Sequence, residues 1–469
     1  MNSGNSIEKL DEQPRTVEKL ALELSQLDPR PVANFTPDNL DQVMEDFLSG
    51  KIHNPDTATY SKLERIDFDN TASKYKELLE EIYHHPDIPT KHHHVYKKYI
   101  ERCLDINELM RQAQLYRTAV NDMDRRTAED NFSELNKKLY SEPNLETAQL
   151  MIQEILADVS EVEEEDIVQI KNEFTELLPS DLFSSDDNAQ ALLPSIEAKQ
   201  TVNKIVQAVY RPLLRHTNEL INLVATEEKV DESELKLGPQ AIAVIFQTII
   251  DREFPDSGWK TKIDQANAIY VDPATKTVMV PEGRTPASPD KVRGLVVHEL
   301  GVHMLRSIIG EKSNLLPLRF GLSGAGEAEE GIAKVMESDV TDDDSRTGYQ
   351  HYLTATLLGK GHDFRSAFEI MWRYKVLDEY LNKPKSNIDD KFISRQKRNT
   401  CKFMFRSIRG TNRLPWHVTL NYFNGKNKIW NYIEKHTNDP DFIIIMFMGK
   451  IDPTDEDHLH GALDAEGVE

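Results

Sequence analysis

His298, Glu299 and His303 form an H-E-x-x-x-H run inside the apolar stretch KVRGLVVHELGVHMLRSII. Two imidazoles and a carboxylate in one helical stretch are the residue types that bind a transition metal and move a proton. Their spacing is the informative part. Histidines four apart lie about 40° apart around an α-helix; five apart leaves about 140°, too wide to share one ion on a regular helix. A π-type turn inserts one residue and closes that angle, and such turns gather at functional sites. Gly301, between the histidines, lowers the steric barrier to that distortion, at about 1 kcal/mol relative to alanine. The plainer alternative is one exposed and one core histidine.

A two-histidine metal site needs a third protein ligand, often a carboxylate, and an open position for water. Glu327, Glu329 and Glu330 open a helical segment that runs on through Lys334 and Glu337, after the glycine-rich 321–326 loop. Glu330 stands 32 residues after His298 (330 − 298), which suits a helix, a loop and a second helix packed antiparallel across the first. Acids at a helix start also complement its dipole without any metal, so spacing alone leaves both readings open.

HELGVH together with Glu329-Glu330-Gly331-Ile332-Ala333 resembles the tyrosine carboxypeptidase (MATCAP) family and its bacterial relatives, which carry a QEGLA motif. Asn54-Pro55 with Tyr60, and Arg406-Ser-Ile-Arg409-Gly410 followed by Tyr422-Phe-Asn-Gly425, extend the resemblance over residues 50 to 430. It is densest between 290 and 335. Glu329 and Ile332 stand where the motif has Gln and Leu, and Val418-Thr419 where a Lys-Asp pair is expected. The resemblance implies a zincin-like catalytic domain, Zn2+ held by His298, His303 and Glu330, and Glu299 as the catalytic residue.

A bound zinc ion polarises a scissile carbonyl and brings water's pKa towards neutrality. Glu299, beside a ligand, can then accept the water's proton and pass it to the leaving amine. Tyr422 and His417 are candidate donors to the oxyanion. A carboxypeptidase also needs a cation for the terminal carboxylate, preferably a bidentate arginine. Arg409 and Arg406 fit the resemblance, and Arg306, one turn beyond His303, could reach from the helix. The expected function is a zinc-dependent metallopeptidase, a carboxypeptidase releasing a C-terminal residue, aromatic ones included, from a peptide or protein. The alternative is a non-catalytic regulatory or interaction protein with a structural metal site, which would have no need of a base at Glu299.

These groups must be positioned by a chain of 469 residues, 39% hydrophobic and 29% charged, too long for one compact core. The expected fold is α+β and mainly helical. Ser288-Pro289-Asp290 is a strong helix start, placing a capping serine, proline at the first helical position and an acid in the first turn. Helices are predicted over 17–27, 73–84, 94–116, 128–140, 145–159, 198–225 and 239–253, and a hairpin over 268–271 and 277–280. The organisation expected is a disordered leader (1–15), a helical N-terminal region (16–190), a catalytic domain (191–450) and an acidic tail (451–469). The 179–187 stretch has linker composition, and the apolar run 442–448 is strand-sized. The histidine tract from His84-His85 to His92-His93-His94 reads as a solvated loop, and the acidic clusters 339–344 and 452–460 as exposed loop and tail.

Net charge is −24, which argues against nucleic acid and anionic membranes as partners. No apolar run reaches the 18 residues or so of a membrane span, and the N-terminus has no signal-like apolar region. Cys103 and Cys401 are too few for a disulfide framework or a cysteine zinc module. A cytoplasmic location is expected. Oligomeric state is not legible.

Overall fold

The structure, a computed structural model, describes residues 16–27, 37–183, 194–266, 268–313, 315–341, 346–382, 388–439 and 441–466. The expected leader, the boundary near residue 190 and half of the 339–344 cluster (342–344) lie outside them. Helices dominate, with one small three-stranded sheet, so the chain is α+β and mainly helical. Among the described residues no helix is long and apolar enough to cross a membrane.

Many helices start where a short polar side chain can cap them. Asp67, Asn121, Asn144, Ser195, Ser288 and Asp389 each accept a hydrogen bond from a backbone N–H three residues on. The Asp67 cap starts its helix at Phe68 rather than near residue 73, because the cap precedes the apolar periodicity. The single helix predicted over 198–225 is two, Ile196–Val209 and Arg211–Glu228, meeting at Tyr210. Pro212 explains the break: it lacks the N–H that a continuous helix would use there.

Three apolar clusters hold the molecule. One joins the N-terminal helices, from Val43 to Leu182, with residues between Tyr349 and Phe423. A second joins Ala198–Met336 residues with Ile429–Phe447. A third packs Leu20, Tyr75, Ile82 and Tyr96 against Leu315, Leu318, Leu322, Ile451 and Ala462. The first and third clusters draw on segments from both sides of residue 190, and the second lies wholly beyond it.

The sheet has the order β1 (Lys260–Asp264), β3 (Thr277–Pro281), β2 (Tyr270–Asp272). β2 and β3 form the predicted antiparallel hairpin, and β1 adds parallel to β3 on its other side. Central β3 is the buried strand, with the Pro239–Glu253 helix against β1 and β3 and the histidine helix against β2. That arrangement sets the hairpin beside the His-Glu residues.

Three expectations are corrected. The 442–448 run is a helix, Phe442–Phe447, because so short an unbroken apolar run carries no period to distinguish the two states. Residues 451–462 are not an exposed tail: Ile451, Asp452, His458 and Ala462 are buried. The histidine tract is not a solvated loop either. His85 and His92 are buried, and His93 begins a helix running to Thr118.

Candidate metal centre

The histidines lie on a π-helix, Val296–Met304, spliced between the α-helical segments Pro289–Leu295 and Leu305–Lys312. All nine of its residues are buried. The wider turn brings the two imidazoles onto one side, with ring centroids 4.9 Å apart and planes at 73°. Gly301 has a second role beyond backbone freedom. A Cβ there would stand 2.7 Å from the ring of Tyr210, which is fully buried at the break between the two preceding helices. The π-helix can therefore sit against Tyr210 only with glycine at this position.

Facing it is the Gly326–Thr341 helix. Glu337 Oε2 lies 2.9 Å from His298 Nδ1, and Glu329 Oε1 lies 2.9 Å from His303 Nδ1. Ionised carboxylates only accept, so each Nδ1 carries the proton and donates, which leaves the Nε2 lone pairs free. Both Nε2 atoms face Glu330: His298 Nε2 is 3.9 Å from Oε2 and His303 Nε2 is 3.8 Å from Oε1. A tetrahedron with bonds of about 2.0–2.1 Å has an edge of about 3.3 Å, so each of these two distances exceeds such an edge by only about 0.5–0.6 Å. Donor atoms of His298, Glu299 and His303 also lie within 4.8 Å of one another, a buried group that could hold a metal ion.

Charge around the centre is uneven. Glu329 meets Arg306 and Lys450 (Nζ–Oε1 3.1 Å), and Glu337 meets Lys291 and Lys334 (Nζ–Oε2 2.9 Å). Burial pushes both carboxyls up, but these cations and the histidines outweigh it and hold them well below the usual range. Glu299 and Glu330 have no lysine or arginine at ion-pair distance among the described residues. Burial opposes charge on His303, yet Glu329, Glu330 and Glu299 together raise its pKa. Two imidazoles and two carboxylates without a lysine or arginine at ion-pair distance are a donor set that fits a divalent cation. Glu330 is also the most open of the group, its side chain 32% exposed against 11% for each histidine.

Two glycines set how close the next wall can come. A Cβ on Gly331 would collide with the carbonyl oxygen of Gly425, and one on Gly425 with the carbonyl of Glu327. The Gly326–Thr341 and Asn421–His436 helices therefore pack backbone against backbone, closer than any side chain would allow. That contact brings Tyr422 to the centre: Glu330, the largest influence, raises its pKa, and Lys334, Arg409 and Arg406 oppose this. His351 stacks on Tyr422 at 5.6 Å between centroids and 22° between planes. Burial, then Arg409 and Arg406, push the His351 pKa down to about 3. Burial also lowers Arg409 to about 10, and its Nη1, shielded from solvent, has no hydrogen-bond partner among the described residues.

The structure thus brings His298, Glu299, His303 and Glu330 together, with Tyr422, Arg409 and the exposed Arg406 on the adjoining wall. Arg306 is corrected. It is fully buried and held by Glu329 and by the carbonyl of Ile451 (Nη2–O 2.7 Å), so it is not open at the surface of the centre. His417 is corrected likewise: it is buried, its Nδ1 bonds the Ser141 carbonyl and its N–H donates to Asn136 Oδ1. The sequence reading missed Glu337 and Lys450. Glu337 had a signal, since it lies two turns beyond Glu330 on the same helix face; Lys450 had none. Family models, curated proteins and solved structures were compared with this chain, and none matches it.

Proposed function

We propose that this chain is a zinc-dependent metallopeptidase of carboxypeptidase type, with a zincin-like catalytic region related to the tyrosine carboxypeptidases. One observation carries the reading: both histidines are fixed through Nδ1 by carboxylates while both Nε2 atoms turn to Glu330, with an unneutralised Glu299 beside them. His298, His303 and Glu330 would hold the ion. Two imidazoles and one carboxylate suit zinc at a catalytic site, where a fourth position stays open. Zinc bound there supplies Lewis-acid activation of water and of the scissile carbonyl.

Glu299 and Glu330 both compete for the third ligand position. Glu330 is favoured because its two oxygens face the two free Nε2 atoms, whereas Glu299 follows His298 on the same π-helix and is left to act on protons. Its carboxylate takes a proton from the attacking water and returns one to the departing amine. Tyr422 donates a hydrogen bond to the oxyanion as it forms. The negative charge of Glu330 keeps its hydroxyl protonated near neutral pH. Arg409 supplies the exopeptidase character: a half-buried guanidinium with a shielded Nη1 that has no partner among the described residues favours an anion, and a peptide's terminal carboxylate is the one present on every carboxypeptidase substrate.

The test presents peptides that end in an aromatic residue, with free or amidated C-termini, and follows release by mass spectrometry. Cleavage of the free set alone is expected. Equal cleavage of both sets would make the chain an endopeptidase, and no cleavage of either set, nor of any protein C-terminus in lysate, would return it to a non-catalytic role.

A further inference from the structure

Glu329 creates a difficulty that most of its helix does not face. It is a carboxylate, 7% exposed, directly behind His303, where an amide would orient the imidazole without bringing charge into the interior. A buried carboxylate is costly unless it is paired and its lone pairs are filled. Its Oε1 accepts from His303 Nδ1 (2.9 Å) and forms an ion pair with Lys450 Nζ (3.1 Å), and its Oε2 meets Arg306. Arg306 belongs to the histidine helix itself, one turn on from His303. Lys450 comes from the far end of the chain.

Several bonds hold the Lys450 segment in place. Its N–H donates to the Leu318 carbonyl (2.8 Å), and its own carbonyl accepts from Leu322 N–H (2.9 Å). Arg306 Nη2 bonds the next carbonyl, that of Ile451. Asp452 pairs with Lys428 at 3.0 Å and donates its N–H to His458 Nδ1 (3.0 Å). His458 Nε2 in turn reaches the Ser323 carbonyl at 3.0 Å. Gly449 permits the approach: it has φ +117° and stands against Leu318 and Gly310. The segment is therefore laced to the loop that leads into the Gly326–Thr341 helix, and it is buried with that loop in the third apolar cluster.

We infer that Lys450 is a positioning residue of the metal centre. It neutralises Glu329, with Arg306, and so allows a carboxylate to fix the ring and tautomer of His303. The C-terminal segment 449–458 is by this account a built part of the site. The inference rests on the metal reading above and adds to it a residue that touches no ligand or substrate. A carboxylate behind a liganding imidazole orients it and raises its basicity, and loss of such a partner typically costs about 10- to 100-fold in metal affinity.

The experiment measures zinc affinity of the full chain by competition with a chromophoric chelator. Lys450→Met should weaken zinc binding by about 10-fold or more. Glu329→Gln removes the charge that needs neutralising, so adding Lys450→Met to it should change affinity by no more than about two-fold. Lys450→Arg, which keeps the cation, should bind within about three-fold of the natural chain. Equal losses from Lys450→Met in both backgrounds, or no loss in either, would overturn the inference. Should Lys450→Met fail to fold, recovery of folding and zinc binding in the double variant supports it, and failure of the double variant overturns it. A natural chain that binds no zinc defeats the metal reading itself, a distinct outcome.

Discussion

Behind the two histidines each buried carboxylate has two cations, and across the centre the half-buried Arg409 has a shielded nitrogen without a partner among the described residues. Glu337 is met by Lys291 and Lys334, and Glu329 by Arg306 and Lys450. Burial lowers the Arg409 pKa to about 10, its Nη1 has no partner among the described residues, and the nearby His351 is held neutral by burial first and by Arg409 and Arg406 second. The first arrangement spends its charges internally, and what it gains is a fixed imidazole pair. The second leaves a charge unanswered, which is destabilising in the free protein and becomes favourable when an anion arrives. The contrast separates groups that hold the site from groups that receive something.

The largest expected effect lies at Glu299, between the two regions. Glu299→Gln keeps the side chain's shape but cannot accept a proton, so turnover should fall about 10²- to 10⁴-fold while zinc is retained. Loss of zinc along with turnover would move Glu299 to the holding side.

Arg409 comes next. Hydrogen bonds to charged groups contribute about 1.5–3 kcal/mol, so Arg409→Ala should reduce the preference for free over amidated C-termini about 10- to 100-fold, read mainly in KM. Zinc content should not change. A variant with its preference intact would mean that the unpartnered nitrogen serves something other than the substrate's terminus.

Gly331→Ala tests the join between the two regions. The added methyl meets the Gly425 carbonyl, and such overpacking costs about 1–3 kcal/mol, more than the helix propensity gained. A lower denaturant midpoint is expected, with turnover reduced because Tyr422 rides on the displaced helix. Unchanged stability would show that the helices can part without loss.

The smallest effect is in pH. The His351 pKa falls from 6.5 to about 3 on folding, so between these values the unfolded chain binds a proton that the folded chain does not. Stability from this group is complete above about pH 6.5 and declines as pH falls towards 3. His351→Phe, which preserves ring stacking, should flatten that part of the acid branch in urea midpoints taken between pH 7 and 4. An unchanged slope would remove His351 from the positive wall.

Much of the centre was legible because its chemistry is local. The five-residue histidine spacing required a π-turn, and Gly301 marked where it could form. The second acidic helix offered Glu327, Glu329 and Glu330, and the resemblance pointed to Glu330 among them. What stayed hidden depends on contacts between distant segments. Gly301 also makes room for Tyr210, 91 residues earlier (301 − 210), which no pattern in the chain reveals. Lys450 reads as an ordinary lysine after an apolar run until the 449–458 segment is seen pinned to the 318–323 loop. The histidine tract failed for the converse reason. Five histidines near two prolines look solvated by composition, yet His85 and His92 are buried, their place set by tertiary packing. Arg306 was correctly placed near the centre by helical spacing but faces inward, since spacing gives an angle and not the charge that waits there.

The account stands or falls on a metal ion between His298, His303 and Glu330. Elemental analysis of the full chain, purified without chelators, tests it most directly. About one zinc per chain is expected, absent from His298→Ala, His303→Ala and Glu330→Ala and present in Glu299→Gln. Full occupancy in His303→Ala, or no transition metal in the natural chain, would contradict it.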